Sequence, residues 1–501
     1  MSAPSRALVD PSMVIGDIDP RVYGSFVEHM GRCVYDGIYA PDHPSADDAG
    51  FRGDVADLVR ELGPTILRYP GGNFVSGYHW EDGVGPREAR PRRRDLAWRS
   101  IETNLVGTNE FLGYARTVGA EPMMAVNLGT RGIDAATALL EYTTLRDGSY
   151  WADLRREHGV AEPYDVPVWC LGNEMDGPWQ LGHKTAYEYG RLAAETAVAM
   201  RRVNPDIELV ACGTSKPIMP TFATWEAQVL EQCYQHVDYL SMHMYVDPER
   251  APDLRSLLAS GLDIDAYIDA VVASVDYARA AGKHAKPMPL AFDEWNVWYN
   301  SRPREIGLWP QAPELIGDIY SLADALVVGS FINSILRRSD RVRIACLAQL
   351  VNVIAPIRTE PGGGPAWRQS TFYPFAYASR YGRGDSLHVG LSTTRHDTQA
   401  HADVADLDVA AVREASGAVT FFVVNRDLER TIPLELDVRG FARLGPGAML
   451  THAVLSGPGA EATNAVDDPS VGITEATRRW DGEAVGLPPL SWSMVRLEPN
   501  M

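Results

Sequence analysis

The sequence predicts an α/β fold: a (β/α)8 TIM barrel followed by a C-terminal all-β sandwich that the N-terminal strand completes. Eight short apolar runs alternate with longer helical patterns between about residues 20 and 380, a pattern typical of parallel β–α–β units. No glycine fingerprint follows the first run, although a doubly wound dinucleotide-binding sheet favours one there. From about residue 385, strand patterns follow one another between Gly, Pro and Asp turns, which indicates a sandwich.

The eight barrel strands are expected at residues 22–27, 65–68, 122–127, 168–172, 209–212, 239–243, 289–293 and 344–350. Helical patterns lie between them, for example at residues 54–62, 108–118, 184–203, 222–236, 264–281 and 313–336. Sandwich strands are expected at residues 419–425, 431–438, 448–455 and 490–497. Residues 6–15 also show a strand pattern and can complete the sandwich, because chain ends often lie close together. The predicted domains are a catalytic barrel at residues 17–383 and a sandwich of residues 1–16 plus 384–501.

Charge and hydropathy exclude several classes of function. The 501 residues include 46 Lys and Arg and 66 Asp and Glu, for a net charge of −20. Nucleic-acid binders instead present basic faces, and anionic membrane surfaces repel such a chain. No run approaches the ~18 apolar residues that span a bilayer, and the start MSAPSRALVD lacks the apolar core of a secretion signal. We therefore expect a cytoplasmic protein that binds neither nucleic acid nor membranes.

Cysteine spacing and short motifs argue against metal chemistry. The five cysteines are odd in number, widely spaced and free of any C-x-x-C pair: Cys33, Cys170, Cys212, Cys233 and Cys346. This spacing indicates buried thiols in a reducing compartment and disfavours a zinc site. The H-x-H and H-E-x-x-H patterns and the G-x-S-x-G nucleophile elbow are also absent. We therefore expect no metal and no cofactor.

Polar side chains follow several predicted barrel strands, at the ends where TIM barrels collect catalytic groups. These strand ends carry Glu28-His29, Arg68 to Asn73, Asn173-Glu174, His243-Met244-Tyr245, Glu294-Trp295-Asn296 and Gln349. Each has a structural alternative: a glutamate can cap the next helix, and His243 fits a buried core position. Trp98, Trp179, Trp295 and Trp298 fit a core equally well. Glu174 and Glu294 together favour function, because both stand beside apolar runs and aromatics, where an unpaired carboxylate is costly.

Two carboxylates accompanied by amides, tyrosines and tryptophans are the groups that glycoside hydrolysis needs. One carboxyl group protonates the leaving oxygen, and the other attacks the anomeric carbon or directs water to it. Amides and neutral phenols bind sugar hydroxyls without adding charge, and aromatic side chains form walls for sugar rings. The residues at the strand ends therefore predict a glycosidase.

Five longer segments then resemble one known family. They are LRYPGGNFVSGYHWEDGVGP (67–86), WRSIETNLVGTNEF (98–111), LGNEMDGPWQLGHKTAYEYG (171–190), LAFDEWNVWY (290–299) and VNVIAPIRTEPGG (351–363). They are similar to segments of α-L-arabinofuranosidases of glycoside hydrolase family 51, and the likeness runs essentially from end to end. The NE dipeptide alone marks the wider clan of retaining barrel glycosidases, whereas NE and FDEWN at this spacing are quite specific.

The resemblance implies roles for individual residues. Glu174 is similar to the family's general acid/base, and Glu294 matches its nucleophile. Arg68 resembles the arginine that keeps the nucleophile ionised. Positions that line the arabinose subsite or its aromatic surroundings are matched by Glu28, Asn73, Trp98, Asn173, Tyr245, Trp298 and Gln349. Val246 departs from the pattern, since many members carry a second aromatic after this tyrosine.

The implied activity is that of a retaining, exo-acting α-L-arabinofuranosidase. It would release terminal arabinofuranose from arabinan or arabinoxylan oligosaccharides by double displacement, without a cofactor. Family members are often hexameric and cytoplasmic, so the resemblance also implies a homo-oligomer. Two alternatives stay open: an endo-glucanase or xylanase on the same barrel, and a catalytically silent carbohydrate-binding or assembly protein. The presence of both carboxylates disfavours the second alternative.

Overall fold

The computed structural model of the chain describes residues 4–302, 307 and 309–499. Strands occur throughout this range and are, in chain order, β1 (Ser5–Leu8), β2 (Val14–Asp17), β3 (Gly24–Phe26), β4 (Ile66–Tyr69), β5 (Arg93–Asp95), β6 (Ser100–Glu102), β7 (Glu121–Val126), β8 (Val168–Leu171), β9 (Glu208–Ala211), β10 (Tyr239–Val246), β11 (Leu290–Val297), β12 (Val342–Leu347), β13 (Ile357–Thr359), β14 (Ala366–Arg368), β15 (Asp385–Leu387), β16 (Gly390–Ser392), β17 (Arg395–His396), β18 (Val404–Ala405), β19 (Leu407–Arg413), β20 (Val419–Asn425), β21 (Ile432–Asp437), β22 (Met449–Ser456), β23 (Gly472–Arg479), β24 (Val485–Leu487) and β25 (Ser491–Glu498).

Helices occur only before residue 382 of the described chain. They are α1 (Gly53–Leu62), α2 (Thr108–Val118), α3 (Ile133–Thr144), α4 (Tyr150–Glu157), α5 (Ala186–Val203), α6 (Thr224–Cys233), α7 (Leu254–Leu258), α8 (Gly261–Gly282), α9 (Leu322–Leu336) and α10 (Phe372–Tyr381). None of these helices combines the length and apolarity that crossing a membrane requires.

Eight parallel strands close into a barrel in the order β3-β4-β7-β8-β9-β10-β11-β12. All eight predicted apolar runs coincide with these strands, so the predicted fold class is confirmed. The barrel interior is filled by a buried apolar cluster: Ile66, Val75, Met123, Ala125, Val168, Cys170, Val210, Tyr239, Ala291, Ile344 and Cys346. A filled interior leaves the strand ends as the place for a site.

Local signals explain where the helices begin and end. In α5, Thr185 accepts a hydrogen bond from the backbone N–H of Glu188, and the Glu188 carboxylate accepts from the N–H of Thr185. The same capping box, made by Ser321 and Asp324, starts α9. The expected helix at residues 313–336 therefore begins nine residues later than predicted, at Leu322.

The C-terminal strands form two packed sheets. One has the order β2-β15-β19-β20-β25-β22-β23 and the other β16-β1-β21-β24. Apolar side chains that include Val409, Phe421, Leu434 and Leu487 fill the space between the sheets. The predicted sandwich, with the N-terminal segment as part of it, is therefore present.

The N-terminal segment differs from the expected single strand at residues 6–15. It forms two strands that join different sheets: β1 pairs with β21, and β2 pairs with β15. Between them the N–H of Met13 bonds the carbonyl of Asp10 in a turn, and Pro11 lacks the N–H that a strand would use. The domain boundaries near residues 17 and 383 stay a proposal, supported by the change from α10 to β15.

Candidate active site

A cavity of about 1070 Å³ lies at the C-terminal end of the barrel. Eight of the nine predicted site residues line it: Glu28, Asn73, Trp98, Glu174, Tyr245, Glu294, Trp298 and Gln349. The ninth, Asn173, is 1% exposed and lies against the same group, since its Oδ1 accepts a hydrogen bond from Arg68. The structure therefore brings every predicted site residue together at one end of the barrel.

Glu294 is held by side chains from two other barrel strands. Its Oε1 pairs with Nη1 of Arg68 at 2.6 Å, and its Oε2 accepts a hydrogen bond of 2.8 Å from the Tyr245 hydroxyl. Burial, with Glu294 as the nearest charge, raises the pKa of Tyr245 well above its usual value, so the phenol stays a donor. Arg68 is itself buried and lies over the Phe26 ring. These contacts hold both carboxyl oxygens of Glu294 in place.

Glu174 stands in the loop after β8, with a backbone φ of 44°. Its Oε2 accepts a hydrogen bond of 2.7 Å from the indole N–H of Trp179. Its Oε1 lies 3.0 Å from Nδ1 of His243. Unlike Glu294, this carboxyl group has no direct arginine partner among the described residues.

The two glutamates are close enough for one reaction. An oxygen of Glu174, an oxygen of Glu294 and a ring nitrogen of His243 all lie within 4.8 Å of one another. Retaining glycosidases hold their carboxyl groups about 5–5.5 Å apart, whereas inverting enzymes leave about 6.5–9.5 Å for a water molecule. A separation of this size between oxygen atoms is consistent with the shorter, retaining arrangement.

A cluster of buried charged side chains contacts the two glutamates. Asp293 contacts Nε of Arg68 at 3.1 Å and Nε2 of His243 at 3.4 Å, and it accepts a hydrogen bond from Ser241. Burial works against its charge, but Arg68 and His243 lower the pKa of Asp293 to about 2. Burial likewise disfavours the imidazolium, but the carboxylates of Glu294, Asp293 and Glu174 raise the pKa of His243 to about 10. Both groups are therefore charged at neutral pH.

The charges in this cluster can be added up. Arg68 and His243 supply two positive charges, and Asp293 and Glu294 supply two negative charges. The sum is zero only when Glu174 carries a proton. The cluster thus sets two cations against three carboxyl groups, and an uncompensated charge in a buried site is costly.

Glu28 forms a second polar contact at the cavity wall. Its Oε1 accepts hydrogen bonds from the N–H of Phe74 and the indole of Trp98, both at 2.9 Å, and its Oε2 accepts one from Gln349 at 3.0 Å. Burial raises the pKa of Glu28 to about 8, and the charge of Glu294 adds to the effect. Glu28 can therefore be a neutral hydrogen-bonding group at pH 7.

Two glycines after β4 let the backbone pass close to these carboxyl groups. A Cβ on Gly71 would lie 2.5 Å from Cγ of Glu28, and one on Gly72 would lie 3.0 Å from Oε1 of Glu294. The φ of Gly71, 151°, is also one that L residues rarely adopt. The Gly71-Gly72 pair in the sequence is therefore part of the site.

Glu174, His243 and Glu294 also form a group of three potential metal ligands in the described part of the chain. A metal requires a neutral imidazole, whereas the pKa of His243 is raised to about 10. A metal at this group would therefore have to displace the proton of His243.

Three residues of the site were not predicted as such from the sequence. His243 and Trp179 fitted a core position equally well, and Asp293 was seen only as the end of an apolar run. Trp179 follows Glu174 by five positions in the same loop, and Asp293 directly precedes Glu294. Their proximity to a candidate carboxylate was the available signal.

The barrel and its paired carboxyl groups define a glycoside hydrolase of the (β/α)8 class. Family profiles for the α-L-arabinofuranosidase 1 domain and the α-L-arabinofuranosidase C-terminal domain match residues 58–260 and 293–491. The intracellular exo-α-(1→5)-L-arabinofuranosidase 1 of Bacillus subtilis (strain 168) is 52% identical over 99% of this chain and 99% of its own. An exo-α-(1→6)-L-arabinofuranosidase of Bifidobacterium longum is 46% identical over 99% of this chain and 97% of its own.

A solved family 51 α-L-arabinofuranosidase from Bifidobacterium longum superposes with a TM-score of 0.94. It is 43% identical, and the match covers 99% of this chain and 100% of that one. The chain belongs to the α-L-arabinofuranosidases of glycoside hydrolase family 51, so the resemblance seen in its motifs is confirmed.

Proposed function

We propose that this protein is a retaining, exo-acting α-L-arabinofuranosidase in which Glu294 is the nucleophile and Glu174 the general acid/base. The observation that carries the assignment of roles is the contrast in partners. Glu294 pairs with Arg68, which stabilises the charge a nucleophile needs, whereas the charge balance of the cluster favours a proton on Glu174.

In the first step, an ionised oxygen of Glu294 attacks the anomeric carbon of the arabinofuranoside. The glycosidic carbon–oxygen bond breaks, and the proton of Glu174 passes to the leaving oxygen. Glu294 becomes a neutral ester while Glu174 becomes a carboxylate. The cluster therefore keeps a total charge of zero, with two cations facing Asp293 and Glu174.

In the second step, Glu174 accepts a proton from water, whose oxygen attacks the same carbon. The ester bond breaks, Glu294 leaves as a carboxylate, and the anomeric configuration is retained. The charge balance explains the change of role: Glu174 is an acid while Glu294 is ionised and a base while Glu294 is esterified.

The remaining cavity residues bind the sugar hydroxyl groups. Nδ2 of Asn173 and Oε1 of Gln349 are buried and have no protein hydrogen-bond partner in the described chain, which suits them to hydroxyl groups. Glu28 and Asn73 add polar contacts, and Trp98 and Trp298 flank the site. Hydroxyl contacts that strengthen at the transition state supply several kcal/mol in glycosidases.

The substrates proposed are arabinose-containing oligosaccharides from arabinan or arabinoxylan. The protein would act on them in the cytoplasm. It would do so as a homo-oligomer, for which a hexamer is one candidate. Relatives named for (1→5) and (1→6) linkages support the sugar and the exo mode, and the relative from Bacillus subtilis is named intracellular. The endo-glucanase or xylanase alternative is not favoured by these relatives. Multi-angle light scattering tests the assembly.

A screen of aryl glycosides tests the function. We expect release of the phenol from 4-nitrophenyl α-L-arabinofuranoside, with little or none from the matched xyloside and glucoside. Proton NMR during turnover should show the α-anomer of arabinose first, before mutarotation. A preference for the xyloside or glucoside contradicts the substrate assignment, and an initial β-anomer contradicts retention.

A further inference from the structure

Lys216 lies in the loop after β9 and lines the same cavity as Glu174 and Trp179. Its Nζ is 4.1 Å from the centre of the Trp179 ring, a cation–π contact. The same indole donates its N–H to Glu174. One side chain therefore separates the ammonium group from the proposed acid/base.

The backbone beside Lys216 is fixed by a buried carboxylate. Asp176, which follows Glu174 by two residues, accepts hydrogen bonds from the N–H of Ser215, at 3.2 and 3.1 Å, and from its hydroxyl group, at 3.2 Å. Ser215 is 3% exposed and Asp176 is 9% exposed. The turn that carries Lys216 is thus tied to the loop that carries Glu174.

Lys216 differs from the other basic residues that line the cavity. Arg250 lies 3.5 Å from Asp247, and Arg302 pairs with Glu249. His401 lies 3.1 Å from Asp263. No ion pair or hydrogen bond of the ammonium group occurs within the described ranges, where its neighbour is the Trp179 ring.

A net charge of −20 repels anionic ligands at long range. Lys216, a cation close to Glu174 that has no carboxylate partner among the described residues, therefore makes this part of the cavity favourable for an anionic ligand. Its four-carbon stem lets the ammonium group reach a ligand beyond the ring. The cavity, at about 1070 Å³, also has room for sugars beyond one pentose.

We infer that the leaving-group side of the cavity accepts a uronate, an acidic sugar whose carboxylate pairs with Lys216. This inference rests on the proposed function and narrows its substrate class: arabinofuranose attached to, or next to, a uronic acid residue. A charge-assisted contact of this kind should favour the acidic substrate about 3- to 10-fold in kcat/KM.

Two oligosaccharides that differ in one group test the inference. Both carry arabinofuranose on the same linkage, one beside a uronate and the other beside the corresponding neutral uronamide. The kcat/KM ratio of the two is measured for the wild type, Lys216→Gln, Lys216→Arg and Lys283→Gln. Lys283 is the matched control because it directly follows the last residue of α8 and lines a different groove. Its replacement therefore removes a charge that is remote from the cavity.

We expect the wild type, Lys216→Arg and Lys283→Gln to prefer the uronate, and Lys216→Gln to lose that preference. Added NaCl should weaken the preference of the wild type. A wild type without preference overturns the inference, as does a Lys216→Gln variant that slows both substrates by one factor. Release of arabinose from neither substrate also overturns the inference if the enzyme still hydrolyses 4-nitrophenyl α-L-arabinofuranoside. Failure on that aryl glycoside as well contradicts the proposed function itself, so the two failures are distinguishable.

Discussion

The two glutamates of the cavity lie at the same end of the barrel, yet their surroundings differ. Glu294 is part of β11, is 5% exposed, and is fixed by Arg68 and Tyr245 from other barrel strands. Glu174 follows β8 in a loop, and one of its partners, Trp179, comes from the same loop and is 40% exposed.

This difference fits the role proposed for each carboxyl group. A nucleophile has to be ionised and accurately aimed, and rigid strands with a buried arginine provide both conditions. An acid/base must give and accept a proton in every cycle and reach leaving groups of varied shape, which suits a loop. In the proposed mechanism, the same residue type thus takes two roles because its neighbours differ.

Replacing Glu294 should have the largest effect. Glu294→Gly removes the nucleophile, so no covalent intermediate can form and kcat/KM should fall more than about 10⁴-fold on both natural and activated substrates. Added azide can enter the emptied space and give the inverted β-azide, which NMR identifies. Circular dichroism controls for folding. An α-azide from this variant would reverse the roles of the two glutamates.

Replacing Glu174 should separate the substrates. Glu174→Ala should lose about 10²–10⁴-fold on natural linkages, because an alkoxide leaving group needs a proton. Glycosylation by an aryl arabinoside with an acidic phenol should suffer much less. Azide should then speed deglycosylation and give the α-azide, since it attacks the ester without a base. A variant impaired equally on both substrate types would contradict the acid role.

His243 links the two surroundings, so its replacement should affect both glutamates. His243→Gln removes a positive charge that favours ionisation of each carboxyl group. We expect both limbs of the bell-shaped pH profile of kcat/KM to move to higher pH, with a loss of about tenfold at the optimum. A profile that only loses height, without moving, would show that the ring positions groups without setting their charge.

Stability provides a second readout for His243. Its pKa is raised to about 10 in the folded protein, so the imidazolium contributes stability that is complete below the unfolded value of about 6.5 and is lost towards pH 10. The difference in free energy of unfolding between the wild type and His243→Gln should shrink over that range. Urea titrations at several pH values measure it.

The barrel could be predicted because its strands are buried on both faces and therefore appear as apolar runs. The strand-end residues of the site followed from topology, since residues after parallel strands meet at one end. The resemblance to the family supplied their roles and added Trp98, which lies between β5 and β6. The role of His243 could not be predicted in the same way, because its charge depends on carboxylates from separate segments: Glu174, Asp293 and Glu294. Nothing in the local pattern distinguishes this ring from a core histidine.

The two errors in the fold have a similar cause. Residues 6–15 show one strand pattern, but β1 and β2 find partners in different sheets. The start of α9 depends on the hydrogen bond between Ser321 and Asp324. Helical periodicity alone does not show where such a cap forms. Strand pairing between distant segments and helix capping determine these boundaries. The burial pattern in the sequence, in contrast, predicts that the strands and helices are present.

The smallest expected effect concerns Trp179, whose indole N–H is the loop's contribution to Glu174. Trp179→Phe keeps an aromatic ring but removes one hydrogen bond, which is typically worth about 0.5–1.5 kcal/mol. We expect kcat/KM to fall roughly 2- to 10-fold on natural linkages and less on an aryl arabinoside with an acidic phenol, which leaves without proton transfer. Equal losses on the two substrates would mean that Trp179 acts only as a wall for the leaving group. A loss confined to the natural linkage would instead show that this N–H supports the acid function of Glu174. Such a contact from its own loop is the feature that distinguishes Glu174 from Glu294.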